Sequence, residues 1–246
     1  MTDSDIYTRI SDELQNLPRG IFELGAIENN LEYMRNLAAS DIPEKLVRRV
    51  LSDEDLMNTI SARSYHHVNH FDKIVLIDSG DPSGYRLTLH YWPGNYDDRI
   101  LSQELVHDHR FSFWSHIFRG KLHTENFRVS DTDSNDNVKL RRYIYRPSKT
   151  GNIHTCDFDA EVSLEQLDDI IHNHGQSYFL RYDSTHRVVL PNEGERICTF
   201  VLRGPRHREF TYTYNTFYPA RGTESSVPMM STDMLRAKLN EILSAN

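Results

Sequence analysis

Between residues 73 and 214 the chain is a run of short segments rich in β-branched and aromatic residues, broken at short, fairly regular intervals by turn residues. That spacing restricts the available folds more than any other feature. The segments are KIVLID (73–78), YRLTLHYW (85–92), FSFWSHIF (111–118), KLHTENFRV (121–129), VKLRRYIYR (138–146), SYFLRY (177–182), HRVVL (186–190), RICTFVLR (196–203) and EFTYTY (209–214). GDPSG (80–84) and PGNYDD (93–98) are turn sequences. Many short strands so spaced predict a β-sandwich or barrel. SDTDSNDN (130–137) reads as an acidic hairpin tip. One helix is predicted inside the run. Ser163 and Gln166 make a capping box, Leu164, Leu167, Ile170 and Ile171 follow, and Gly175 supplies the stop.

Helices are predicted on both flanks. Ile6, Ile10 and Leu14 keep helical spacing, ended by Pro18 and Gly20. Leu31, Met34 and Leu37 form a second stripe. Pro43 opens a third helix carrying Leu46, Val47, Val50 and Leu51. Ser52 is the expected cap of a fourth, with Asp53, Glu54 and Asp55 in its first turn, where the helix dipole favours acid. A last helix begins near Ser231 or Thr232, with Met234, Leu235, Lys238, Leu239, Ile242 and Leu243 along it. The expected division is a helical segment (1–63) packed on a barrel (64–218), then a tail and helix (219–246).

Composition removes several classes. The 246 residues, 38 % of them hydrophobic, are enough for a core without disulfides. Two cysteines, Cys156 and Cys198, exclude a disulfide framework and a CxxC zinc site. They read as small hydrophobes in a reducing compartment. A net charge of −8 argues against a nucleic-acid surface. No apolar run reaches membrane-spanning length, and the polar, acidic N-terminus resembles neither a signal nor a transit peptide. The expectation is a cytoplasmic protein with no membrane and no nucleic-acid partner.

All thirteen histidines fall between His66 and His207. Two H-x-H pairs occur, His107-Asp108-His109 and His172-Asn173-His174. In a strand, i and i+2 share a face, so such a pair can offer two imidazoles to one metal. At this histidine content one pair is expected by chance, so context must separate them. His172 and His174 end the predicted helix, where they do not face each other, and are set aside as structural. His66-His67-x-x-His70 has ligand-like spacing but no further partner. His107 and His109 instead open a strongly apolar strand.

The run H107-D-H-R-F-S-F-W-S-H-I-F-R-G-K-L-H-T-E125 resembles the first metal-binding motif of the cupin superfamily. More narrowly, it resembles the thiol dioxygenases typified by cysteine dioxygenase, through HDH, Ser112, Gly120, Leu122 and Glu125. Y182-D-S-T-H186-R-V-V resembles that family's second motif, two residues shorter between Ser and His, ahead of a closing strand RICTFVLRGP. The resemblance implies a cupin-type double-stranded β-helix, a jelly-roll barrel in a mainly β chain, with the helical segments outside it. It implies a metal held by His107, His109 and His186. Ordinary cupins add a glutamate four or five residues after the second histidine, but Phe113 and Trp114 stand there. That matches the three-histidine variant. Three imidazoles with open positions suit Fe(II) binding substrate and O₂ together, and other divalent metals such as Zn(II), Ni(II), Mn(II) or Cu(II) accept the same ligands.

The substrate machinery departs from the family. Its Ser-x-His-x-Tyr triad is replaced by Thr199, Val201 and Arg203, its cross-linked cysteine by Trp114, and its early arginine by a segment with His67 near that place. Free cysteine is therefore not the expected substrate. Arg203 could hold a substrate carboxylate. His90, Trp114, His67 and Tyr178 are the other candidate pocket residues, with Phe111, Phe113 and Arg187 behind them. The expected function is a mononuclear non-haem iron oxygenase, dioxygenase or monooxygenase, taking a small molecule and O₂, with a homodimer allowed. The alternatives are a non-redox metal-dependent isomerase, lyase or decarboxylase, and a non-catalytic ligand-binding module.

Overall fold

The computed structural model describes residues 3–18, 21–22, 25–81, 83–131, 134–147, 154–216 and 228–244. Gly20 and part of the acidic 130–137 segment lie outside them. Helices α1 (Asp3–Gln15), α2 (Ala26–Ala39), α3 (Ile42–Leu51) and α4 (Glu54–Ser61) come first. Strands β1 (Tyr65–His66), β2 (Asp72–Asp78) and β3 (Arg86–Trp92) follow, then a short α5 (Asp98–Leu101). Next come β4 (Val106–His107), β5 (Phe111–Arg119), β6 (Leu122–Ser130), β7 (Val138–Pro147) and β8 (His154–His172). The chain closes with β9 (Ser177–Leu180), β10 (Thr185–Val189), β11 (Ile197–Arg206), β12 (Thr211–Asn215) and α6 (Thr232–Ser244).

The strands form two antiparallel sheets. The first has the order β1-β2-β3-β11-β5-β9, and the second closes on itself as β10-β4-β12-β7-β8-β6. Mainly β architecture, with helices before the strands and one after them, is what the sequence pattern and the resemblance imply. Among the described residues no helix is long and apolar enough to cross a membrane.

The period-2 alternation of the first sheet decides what lies on each side of it. Its outer face carries Leu76, Leu87, Leu89, Trp114, Phe200 and Leu202, all buried in one cluster with Ile10, Met34, Leu46, Val50, Met57, Leu235 and Leu239 from the helices. The helices are thus the cover of that face. Polar contacts pin the cover: Tyr7 donates to the Leu76 carbonyl (2.8 Å) and the Trp114 indole to that of Ile27 (2.9 Å).

Three sequence expectations change. The fourth helix is capped by Asp53, whose side chain accepts from the Leu56 N–H (2.9 Å), while Ser52 closes α3. The helix predicted from Ser163 to Gly175 is strand. Residues 163–172 pair with β6, and 154–164 pair with β7 on the other edge. A helix there would leave the β6 edge unpaired, and ladder hydrogen bonds outweigh a local capping pattern. The apolar stripe read as helical is not a buried stripe, since Leu164 is buried whereas Leu167, Ile170 and Ile171 are exposed. For the same reason 130–137 is not a hairpin tip: it connects β6 to β7, which flank β8 and do not pair with each other.

The motif glycine has a backbone reason. Gly120 turns β5 into β6 at φ +73°, and a Cβ there would collide with the Arg196 carbonyl.

Candidate metal centre

His107 ends β4 between two strands. It pairs in register with His186 of β10 on one side and with Thr213 of β12 on the other. Directly opposed residues in an antiparallel pair project to the same face. Two of the three motif histidines therefore meet through strand register, although they are far apart in sequence. His109 joins them by alternation past Asp108. Its N–H donates to the Tyr182 carbonyl (2.9 Å), and that of Asp108 to Tyr212 (3.1 Å), so the segment is clamped from both sides.

The three rings converge, with centroids 4.8 Å apart for His107 and His109, 4.8 Å for His107 and His186, and 5.1 Å for His109 and His186. One nitrogen from each lies within 4.8 Å of the others, and the Nε2 atoms of His109 and His186 are 2.9 Å apart. His107 Nδ1 donates to the Leu105 carbonyl (2.8 Å), which leaves Nε2 as its lone-pair donor. The amide nitrogen of Asn69 stands against the ring, 3.2 Å from that Nε2 and 3.3 Å from Nδ1. Leu105 is a non-glycine residue at φ +53°, a costly conformation that aims its carbonyl at the ring. Burial holds all three imidazoles below the ordinary histidine range, and their mutual proximity adds to this for His109 and His186. Neutral imidazoles are the ligating form.

The arrangement fits a metal ion. His186 is buried with no partner for Nδ1, and its Nε2 faces another imidazole nitrogen. Separations near 3 Å are what neighbouring ligands at about 2.1 Å from one ion produce. Among the described residues no carboxylate joins this group. His123, Glu125 and Asp169 form a separate cluster, in which Glu125 is tied to Arg187 (2.5 Å) and His123 to Asp169. Arg187 is thus an ion-pair partner.

Asp108, between the ligands, points the other way. It is buried, accepts from the Tyr212 N–H (2.7 Å) and pairs with Arg208. Burial pushes its carboxyl up to about 6, against the pull of that guanidinium. Asp108→Asn keeps an acceptor for Tyr212 and leaves the largely buried Arg208 guanidinium without its carboxylate. The expected cost is about 1–3 kcal/mol, read as a lower denaturant midpoint. An unchanged midpoint would show that the pair does not hold the ligand segment.

The inner face of the first sheet looks toward the histidines and carries most of the other predicted residues. His90, Thr199 and Ile117 share one cross-strand row; Thr88, Val201, Ser115 and Tyr178 a second; Arg86, Arg203 and Phe113 a third. Phe113 and Phe111 approach His109, with centroids at 5.1 and 5.6 Å. His67 and His90 both pack on Phe71 (4.5 and 4.4 Å), and burial lowers both well below the usual range. Tyr178 stacks on His172 (4.1 Å), which ends strand β8 and not the predicted helix.

Trp114 is the correction. It stands on the opposite face, 1 % exposed under the helices, and cannot line the pocket. One residue of register separates it from Phe113, which does face inward. Cys156 is only partly buried, whereas Cys198 is fully so. Asn69, Leu105 and Lys73 were not candidates from sequence. Asn69 and Leu105 lie outside recognisable motifs. Lys73 directly precedes the apolar run Ile74–Ile77 of β2, which is a signal the sequence carries.

No family model matches the sequence, and no curated protein matches it. The chain is similar to several solved structures. One is hydroxypropylphosphonic acid epoxidase from S. wedmorenis, at 8 % identity and a TM-score of 0.34 over 57 % of this chain and 53 % of that one. A structure described with DMSP lyases gives 14 % identity and 0.29 over 58 % and 50 %. Hydroquinone 1,2-dioxygenase gives 13 % and 0.31 over 54 % and 63 %. The chain spans about half the length of the first two.

Proposed function

We propose that His107, His109 and His186 hold one divalent transition metal, Fe(II) in the working protein. On this reading the chain is a mononuclear non-haem iron oxygenase acting on a small molecule other than free cysteine. The observation that carries this is the convergence of three imidazoles, with no carboxylate beside them among the described residues. Such a set leaves positions for two further ligands. When bound, the iron would supply the electrons that O₂ needs and polarise the substrate beside it.

The protein's own part is positioning and exclusion. Leu105 orients His107, while Asp108 and Arg208 hold the segment that carries His109. Phe111 and Phe113 wall the His109 side and keep water from it. Arg203, His90 and Tyr178 stand on the facing sheet and His67 in the turn between β1 and β2, where they can bind and turn a substrate.

Anaerobic titration with Fe(II), followed by nitric oxide, tests this. The expected result is one Fe(II) per chain and the high-spin paramagnetic resonance signal of an iron–nitrosyl, which requires an open position. A protein that takes up zinc alone and gives no such signal would overturn the oxygenase reading.

A further inference from the structure

Among the described residues, two cations on the inner face of the first sheet have no ion-pair partner. Register puts Lys73 between Tyr65 and His90, and Arg203 between Arg86 and Phe113. Lys73 Nζ lies 5.8 Å from the centroid of Phe111, and Arg203 Cζ lies 5.2 Å from the same ring. That ring is 5.6 Å from His109. Both cations therefore border one aromatic side chain that packs on the histidine centre.

Among the described residues Arg203 donates only to the Gly84 carbonyl (2.7 Å), and its Nε has no acceptor although the residue is 2 % exposed. Lys73 makes no hydrogen bond or ion pair among those residues. The neighbouring carboxylate, Asp78, is engaged by Arg86 (2.8 Å). Buried cations are ordinarily paired, because desolvation is otherwise uncompensated. Burial, then the charges of Arg86 and Arg203, push the Lys73 amine down to about 7. Lys73, Phe111 and Tyr65 are only half-buried.

We propose that Lys73 and Arg203 bind a doubly charged oxyanion of the substrate, a phosphate or phosphonate group, beside Phe111 and within reach of the histidine centre. This rests on reading the barrel interior as the substrate site. A guanidinium, and an amine that a bound anion would hold protonated, together call for two negative charges. A guanidinium fork and an ammonium point charge together suit a tetrahedral group with three oxygens. A monocarboxylate would leave one charge uncompensated.

Calorimetric titration of the full chain, with and without chelator, uses inorganic phosphate, methylphosphonate and acetate as probes. Phosphate and methylphosphonate are expected to bind and raise the melting temperature, with acetate weaker by about 10-fold or more, since a charge-assisted contact is lost. Lys73→Met is expected to melt higher than the parent without ligand, because a desolvated amine without a partner is gone, and to bind phosphate about 10-fold or more weakly. Arg203→Lys, which keeps the charge and loses the fork, weakens phosphate binding and serves if Lys73→Met does not fold. Failure of both phosphorus probes to bind the parent, acetate binding equally well, or phosphate affinity unchanged in the variants would overturn the proposal. Phosphate binding that survives chelation and His186→Ala separates this proposal from the metal assignment.

Discussion

His186→Ala is expected to reduce affinity for Fe(II) by at least about 100-fold. Disturbing a residue that merely supports a ligand costs about 10–100-fold, and here a ligand itself is removed. The geometry explains why the remaining pair does not suffice. His107 and His109 lie on one short segment, while His186 arrives from β10 across the His107 pairing, with its Nε2 2.9 Å from that of His109. Without it, two imidazoles face an open side. The fold should survive, since His186 Nδ1 has no protein partner to lose. Metal analysis after anaerobic loading, beside a circular dichroism melt, reads both quantities. Full metal content in the variant would mean that the three-histidine assignment is wrong.

Trp114→Ala is expected to destabilise the protein by about 3–5 kcal/mol, the usual range for deleting a fully buried Trp. For a chain of this size that lowers the melting temperature by on the order of 10 °C. Trp114 is 1 % exposed, packs on Phe179 and Tyr85 (centroids 5.2 and 6.2 Å) and donates to the Ile27 carbonyl. Its removal opens a void between the first sheet and the helices and orphans that carbonyl. Fe(II) stoichiometry measured below the transition should not change, because the side chain lies on the face away from the histidines. A loss below about 1 kcal/mol would show that the helical cover packs more loosely than this. A loss of metal at unchanged stability would return Trp114 to the pocket.

Much of this architecture was legible in the chain. The strand segments at short intervals, the helical stripes on both flanks and the Pro43 helix start all match the elements they predict. The candidate histidines were legible too, since H-x-H at the mouth of an apolar strand brings two imidazoles to one face whatever the partners are. In the largest failure of a local signal, a non-local term outweighed it. The 163–175 segment satisfies the rules for a capped helix, yet β6 and β7 each needed a backbone partner, and β8 supplies both.

Local chemistry therefore determined which residues can be strand, which can be helix and which side chains are capable of ligation. The tertiary structure decided what those side chains meet. Alternation placed Phe113 inward and Trp114 outward, a distinction that needs to know which face the helices cover. Cross-strand register set His186 opposite His107 and left Lys73 and Arg203 facing the same ring. Register and sidedness depend on pairing between segments far apart in the chain, and the energy that selects them exists only once the sheets have closed.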